Sequence, residues 1–291
     1  GQITDLSGTG WTVFDSRVTL SPKDHTIDLG YHLDYYHLRQ TVNVSNDWMG
    51  SQKGAFTSLS SGNTKTHAVY VQDKWQITPL WALTLGGRQE HYEAYDGVNQ
   101  NTTLARYEDR SRNTFSPKVS LSFEPEPAWG FRAAFGKAYR FPTVTELFQQ
   151  LTVSNTIVTN NPNLKPEKAT NYEINYTANA FNKVTFQTAV FYSVLSDAIL
   201  NVSNVQPGKS QMQNFGKAEY FGIEAQINYP ILENLLLNFN YTYLERNNLT
   251  APTIHFTDVP NTKAMGTIEY SPIKILRFIA NSEFNSSRFS T

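Results

Sequence analysis

Apolar and polar side chains alternate with period two along most of this chain. Ile27, Leu29, Tyr31, Leu33 and Tyr35 form one row, opposite Asp28, Gly30, His32 and Asp34. Val119, Leu121 and Phe123 oppose Lys118, Ser120 and Ser122, and Tyr172, Ile174, Tyr176 and Ala178 oppose Glu173, Asn175, Thr177 and Asn179. The same holds for Phe221, Ile223, Ala225, Ile227 and Tyr229, for Leu237, Phe239, Tyr241 and Tyr243, and for Leu276, Phe278 and Ala280. A helix would need apolar residues three and four apart, so the pattern predicts strands. About twelve are expected, many longer than the roughly 9 to 11 residues a bilayer requires.

The expected connections alternate in length. Short turns fall near Ser21 to His25, Thr78 to Leu80, Glu124 to Ala128, Phe181 to Lys183, Pro230 to Asn234 and Ser271 to Lys274. Long polar loops fall near Val44 to Thr66, Asp96 to Asn113, Phe141 to Thr170, Ser196 to Gln213 and Asn247 to Pro260. Short turns on one side and long loops on the other are the pattern of an outer-membrane barrel. A soluble two-sheet protein with one wet face would also alternate, but its apolar rows would meet in a shared core. Trp11, Trp75, Trp81, Trp129, Tyr95, Tyr192, Tyr229 and Tyr270 lie near strand ends, where interfacial girdles would place them.

Composition is consistent with a barrel. Tyr 16, Phe 18 and Trp 5 make a large aromatic share of the 291 residues, yet mean hydropathy is -0.43. A transmembrane barrel reconciles the two, because alternate residues face a polar interior. No apolar run approaches the roughly 18 residues of a spanning helix. Lys+Arg 24 against Asp+Glu 25 gives a net charge of -1, which provides no field for nucleic acid. Cysteine is absent, so disulfide scaffolds and thiolate metal sites are excluded. Gly1-Gln2-Ile3-Thr4 carries no signal peptide and reads as the middle of a longer chain.

One long connection is unusually structured. Pro142 must end the strand before it, while Pro162 and Pro166 keep the return path extended. Thr143 and Glu146 have the spacing of a capping box, which predicts one or two helical turns from about Val144 to Gln150. Phe141-Pro142-Thr143 with Glu146-Leu147-Phe148, then Asn161-Pro162-Asn163-Leu164-Lys165-Pro166-Glu167 leading to Asn171-Tyr172-Glu173, resemble the barrel-domain signature of TonB-dependent outer-membrane receptors. Tyr70-Val71-Gln72-Asp73-Lys74-Trp75 with Leu83-Thr84-Leu85-Gly86-Gly87-Arg88 resemble a second region of that family.

The resemblance implies an all-β fold: an antiparallel transmembrane β-barrel, partial here, with residues 1–291 supplying about 12 strands of a 22-strand plugged barrel. It implies that the plug and first strands precede residue 1 and that the final strands follow residue 291. It further implies active uptake of a scarce ligand, coupled through the plug to a TonB-type energy-coupling protein. Ferric siderophore is the first expectation for the cargo, ahead of cobalamin or other metal chelates, and outer-membrane lipid and lipopolysaccharide are expected neighbours. A passive diffusion porin is the alternative.

Candidate site residues follow from faces and loops. His32, Asp34, Arg88, Glu90, Arg132, Glu173 and Glu224, with Glu269, Arg277 and Glu283, would face the lumen and plug. Arg106, Tyr107, Arg110 and Arg112 gather guanidinium groups and a ring in one external loop, suited to an anionic ligand or to lipopolysaccharide. Arg140 and Phe148 of the signature loop join them as ligand contacts, and Arg140 with Glu167 is expected to pin the base of that loop. The Phe141-Pro142 and Asn161-Pro162 pair also resembles the boxes of haem receptors, which hold a histidine between them. Neither His nor Tyr lies between Pro142 and Asn161, so haem is disfavoured and no cofactor is expected. His25, His32, His37, His67, His91 and His255 show no metal-ligand spacing, His91 with Glu90 and Glu93 being the nearest approach to one. No local signature of a nucleophile with its base is present, so an enzyme is not expected.

Overall fold

In the computed structural model, residues 1–47, 49–126, 128–153, 156–180, 183–253, 256–257 and 259–289 are described. Phe181 and Asn182 of one expected turn, Pro127 of another, and His255 lie outside the described residues.

The strands in chain order are β1 (Gln2–Asp5), β2 (Gly10–Leu20), β3 (His25–Val44), β4 (Phe56–Gln76), β5 (Trp81–Gln100), β6 (Leu104–Arg106), β7 (Arg110–Glu126) and β8 (Trp129–Arg140). Helix α1 (Val144–Phe148) follows, then β9 (Leu151–Val153), β10 (Thr156–Thr159), β11 (Glu167–Ala180), β12 (Val184–Ser196), β13 (Ile199–Gln206) and β14 (Lys209–Asn214). The last four are β15 (Lys217–Leu232), β16 (Leu235–Asn248), β17 (Thr262–Ile273) and β18 (Leu276–Asn285).

One antiparallel sheet runs β1-β3-β4-β5-β7-β8-β11-β12-β15-β16-β17-β18, with β2 also on β3 and β6 also on β5. β1 and β2 pair with the two ends of β3, as one strand broken at residues 6–9. Each long strand pairs with its sequence neighbour, the meander of an up-and-down barrel wall.

Register assigns the two faces. Tyr172 lies opposite both Phe135 and Tyr192, and Ile174 opposite Ala133 and Val190. This row is left uncovered: Val69 is 56% exposed and Ile174 57%. Apolar rows therefore do not meet across a second sheet, and the two-sheet alternative fails on that observation. Rings mark one end of the band, with Trp81 4.4 Å from Phe123 and Trp129 5.7 Å from Phe131. Trp11 departs from the expected girdle. It lies opposite Tyr36, in the row of Val13 and Asp34, and stacks on Tyr36 at 6.1 Å on the inner face.

The inner face is concave and polar. A basin of about 780 Å³ opens on it, lined by Arg132, Glu173, Asn175, Glu224, Gln226 and Asn240 among others. Glu173 and Glu224 reach it from β11 and β15, and Asn175 lies directly opposite Arg132.

Several expected loops are shorter than their sequence suggests. β4 and β5 run 21 and 20 residues and β7 begins at Arg110, so 56–66, 96–100 and 110–113 are strand where a loop is expected. These projecting ends persist because their inner side chains gain a covering, as described next.

Candidate functional site

The connection between β8 and β11 does not extend outward. It turns into the concave side and lays α1 against the inner face of β3, β4 and β5. A five-residue helix has no stability of its own. It forms because Thr143 Oγ1 accepts from the Glu146 amide, the Glu146 carboxylate accepts from the Thr143 amide at 2.8 Å, and three apolar side chains find a partner surface. Val144, Leu147 and Phe148 pack with Leu38, Tyr92 and Ala94 of the wall, and with Leu164 and Ile199 of the loops. Each such burial stabilises by about 1.5–3 kcal/mol. The helix is shorter than the expected span to Gln150. Its C-terminal neighbours are drawn off to the wall, Gln149 donating to Gln40 Oε1 and the Gln150 amide to Ser60 Oγ at 3.3 Å.

Phe148 needs a hole in the wall, and two glycines make it. A Cβ on Gly62 or on Gly97 would stand 2.3 Å from the Phe148 ring. Beside Gly97, Asp96 has φ 54, and the β4–β5 register shifts between Ser61 and Asn63. That bulge opens the strand pair where the ring enters. Tyr107 stacks on the other side of the ring at 5.9 Å, while Tyr92 stacks on Phe141 at 4.6 Å and donates its hydroxyl to Pro142 O at 2.8 Å.

The next loop joins the first. β13 and β14 form a hairpin, and β14 pairs in parallel with β10, giving a sheet ordered β13-β14-β10-β9. Asparagines stitch the two loops. Asn214 Nδ2 donates to Lys165 O and Asp197 O, and its Oδ1 accepts from the Lys165 amide at 2.7 Å. Asn161 Nδ2 donates to Met212 O, and Asn160 links Leu147 O to Asn99 of the wall. Loops 141–166 and 197–216 thus form one cap.

Arg140 fixes the base of the cap. Its Nε donates to Glu167 Oε2 at 2.5 Å and its Nη1 to Glu146 at 3.1 Å. Glu167 Oε1 accepts from the Ile199 amide at 2.6 Å, so the node ties β8, α1, β11 and β13 together. Burial pushes the Glu167 carboxyl up, but the hydrogen bonds from Arg140 and Ile199 outweigh it and hold the group below its ordinary range. The ion pair expected at the base of the loop is present, and Glu146 is a third partner that spacing alone did not suggest.

The other expected ligand contacts separate. Arg106 is exposed on β6. Arg110 and Arg112 are on β7 rather than in a loop, on the inner row opposite Ala94 and Tyr92. Arg110 donates to Asn163 of the cap and Arg112 to Ser111 O at 3.0 Å. Tyr107 and Phe148 belong to the packed interior of the cap; Phe148, at 2% exposed, supports the cap rather than facing the mouth.

His32, Asp34, Arg88, Glu90, Arg132, Glu173 and Glu224 all fall on the inner face. His32 Nδ1 meets Asp15 Oδ1 at 2.6 Å, and Arg88 Nε donates to Glu90 Oε1 at 2.9 Å. His91 and Glu93 point outward and Glu90 inward, which separates that trio. Among the described residues no group of three His, Cys, Asp or Glu could hold a metal. Residues that sequence reasoning passed over are Tyr92, Gly62, Gly97, Asn99 and Asn214. The Asp96-Gly97 pair was the one local signal, a bulge dipeptide inside a strand pattern.

A family model, TonB dependent receptor-like, beta-barrel, matches residues 2–288. An iron-regulated outer membrane virulence protein of Vibrio cholerae is 24% identical over 246 residues, covering 80% of this chain and 34% of that protein. The chain thus spans about a third of the length of that curated relative. Among solved structures, the copper transporter OprC superposes with a TM-score of 0.72 at 18% identity, over 90% of this chain and 41% of that one. The ferric yersiniabactin uptake receptor FyuA of Yersinia pestis gives 0.66 at 15%, over 93% and 42%. At such identities the structural likeness establishes the fold alone.

Proposed function

The chain belongs to the TonB-dependent receptor-like β-barrel family of the bacterial outer membrane, and from that premise we propose that the intact protein is a receptor for energy-coupled uptake of a scarce metal chelate. Residues 1–291 form part of its barrel domain, with a plug before them and further strands after them. Ferric siderophore is the best-supported cargo, since the similar proteins named above are iron-regulated or take up ferric yersiniabactin, with a copper transporter beside them. The plug would occupy the polar basin and contact a TonB-type coupling protein on the periplasmic side. The family is one of transporters and receptors rather than enzymes.

The observation that carries this reading is the cap. An ordered, hydrogen-bonded layer folded into the mouth from two loops serves capture and release, whereas free diffusion calls for an open pore. Arg106 and Arg112 would meet an anionic chelate there. Nothing in the fold or the comparisons supports a porin.

The test is uptake of radiolabelled ferric siderophores of catecholate, hydroxamate and carboxylate type by cells that carry the intact gene or lack it. Saturable uptake abolished by a proton-gradient uncoupler is expected for at least one type. Entry that rises linearly with concentration and ignores the uncoupler would overturn the reading.

A further inference from the structure

Strand pairing brings together two histidines that are distant in sequence. His67 on β4 and His91 on β5 lie directly opposite one another in the outward row. Side chains so placed have Cβ atoms about 4.5–5.5 Å apart. In one direction Val69 and Val71 continue the row of β4 into the apolar band. In the other, Lys65 and Glu93 are the next outward residues toward the external ends, and they are charged. The pair therefore stands at the upper edge of the band, on the opposite face of the sheet from the cap.

The ring nitrogens are sorted by their partners. His91 Nδ1 meets Asn113 Oδ1 at 2.8 Å. A carboxamide oxygen only accepts, so Nδ1 carries the proton and the neutral ring presents the lone pair of Nε2. His67 Nδ1 meets Tyr31 Oη at 2.6 Å, and among the described residues its Nε2 has no hydrogen-bond partner. Partners of this kind fix the orientation of an imidazole and make its other nitrogen a better ligand. His25 and His32 differ, being tied to Asp73 and Asp15 at 2.8 and 2.6 Å, and His37 meets Asn63 at 2.7 Å. None of those three faces another imidazole across its strand pairs. Glu93 Oε1, 3.5 Å from His91 Nε2, supplies negative charge beside the pair, and Lys65 opposite Glu93 offsets part of it.

We propose that His67 and His91 form a cross-strand site for a divalent transition-metal ion, copper(II) or zinc(II), bound through the two Nε2 atoms. Imidazole nitrogen suits these ions, whereas magnesium and calcium take oxygen ligands. Among the described residues no third His, Cys, Asp or Glu is placed to close the set, so water completes the coordination and the ion exchanges. Bound there, the ion clasps β4 to β5 on the outside of the wall. The lumen lies on the other face, so the site is off the transport path. The inference goes beyond the uptake reading and does not depend on it.

The test is copper(II) titration of the intact purified protein in detergent micelles, followed by electron paramagnetic resonance. The reference is the double variant His67→Ala, His91→Ala. The native protein is expected to bind one copper(II) more than the double variant, with a difference spectrum split by two imidazole nitrogens. Either single variant is expected to reduce that splitting to one nitrogen. Asn113→Ala keeps both imidazoles but releases His91 Nδ1, and is expected to weaken binding about tenfold. Zinc(II) is expected to displace the copper, and magnesium is not. Folding is checked by heat-modifiable mobility, and the single variants serve if the double variant does not fold. Equal copper binding by native and folded variant proteins, a difference spectrum without two nitrogens, or undiminished affinity in Asn113→Ala would each overturn the site. Siderophore uptake by the same variants is expected to be unchanged, so failure here is distinguishable from failure of the transport reading.

Discussion

The inner face of this wall differs between its two parts. Across the external ends of β3, β4 and β5 it is covered by the chain's own cap, and there the inward residues include Leu38, Tyr92 and Ala94, all buried. Across β8 to β16 it is uncovered, and there the inward residues are Arg132, Glu173, Asn175, Glu224, Gln226 and Asn240 around an open basin. Secondary structure is the same in both, and so is the outward apolar row. The difference teaches that the inward row of a barrel strand records what lies against it. Apolar inward residues mark a surface the chain covers itself, and polar ones mark water or a polar partner.

The strongest way to break this contrast is to remove the side chain that joins cap and wall. Phe148→Ala should cost about 3–5 kcal/mol of cap stability. The readout is proteolytic cleavage within 141–166, expected to accelerate while the barrel retains its heat-modifiable mobility. Gly62→Val should eject the ring, because a Cβ there stands 2.3 Å from it. In the Phe148→Ala background the same valine should add little further loss. Independent, additive losses would show that the hole and the ring do not act together.

A smaller effect is expected at the base of the cap. Arg140→Gln leaves Glu146 and Glu167 without their shared cation. The arginine side chain is 43% exposed, so solvent screens the pair and the loss should be about 1 kcal/mol. Faster amide exchange at Ile199 and within 141–150, with unchanged exchange in β15 and β16, is the expected result.

The smallest effect is one of pH. The folded-state pKa of Glu167 lies below its ordinary value, so its contribution is present above the ordinary glutamate pKa of about 4.3 and is lost as pH falls through the lower folded value. A spin label at Lys165 should gain mobility in that acid window and show no change between about pH 6 and 8. In Arg140→Gln the mobile state should persist to higher pH.

Much of the wall was legible in the sequence because period-two alternation fixes each strand's faces, and Pro142, Thr143 and Glu146 are local signals for a strand end and a helix start. The lengths of β4 and β5 were not legible. Segments such as Phe56–Thr66 are polar and read as loop, and their pairing depends on a cap distant in sequence. The cap itself escaped for the same reason. The parallel β10–β14 pair joins residues some fifty positions apart, and no local pattern specifies such a contact. Phe148 looked like a ligand contact because it lies in a loop, and only the Gly62–Gly97 hole explains its burial. Arg140 with Glu167 was legible, since both sit at the ends of strands that the signature loop must bring together.

The central claim is that alternate side chains of each long strand face hydrocarbon while their neighbours face an aqueous or protein-filled interior. Spin labels placed singly from residue 172 to 178 on β11, in the intact protein in bilayers, test it most directly through relaxation by oxygen and by a water-soluble nickel chelate. The account predicts oxygen-dominated relaxation at 172, 174, 176 and 178 and its absence at 173, 175 and 177. A profile without that period, or one protected from oxygen at every position, would contradict it.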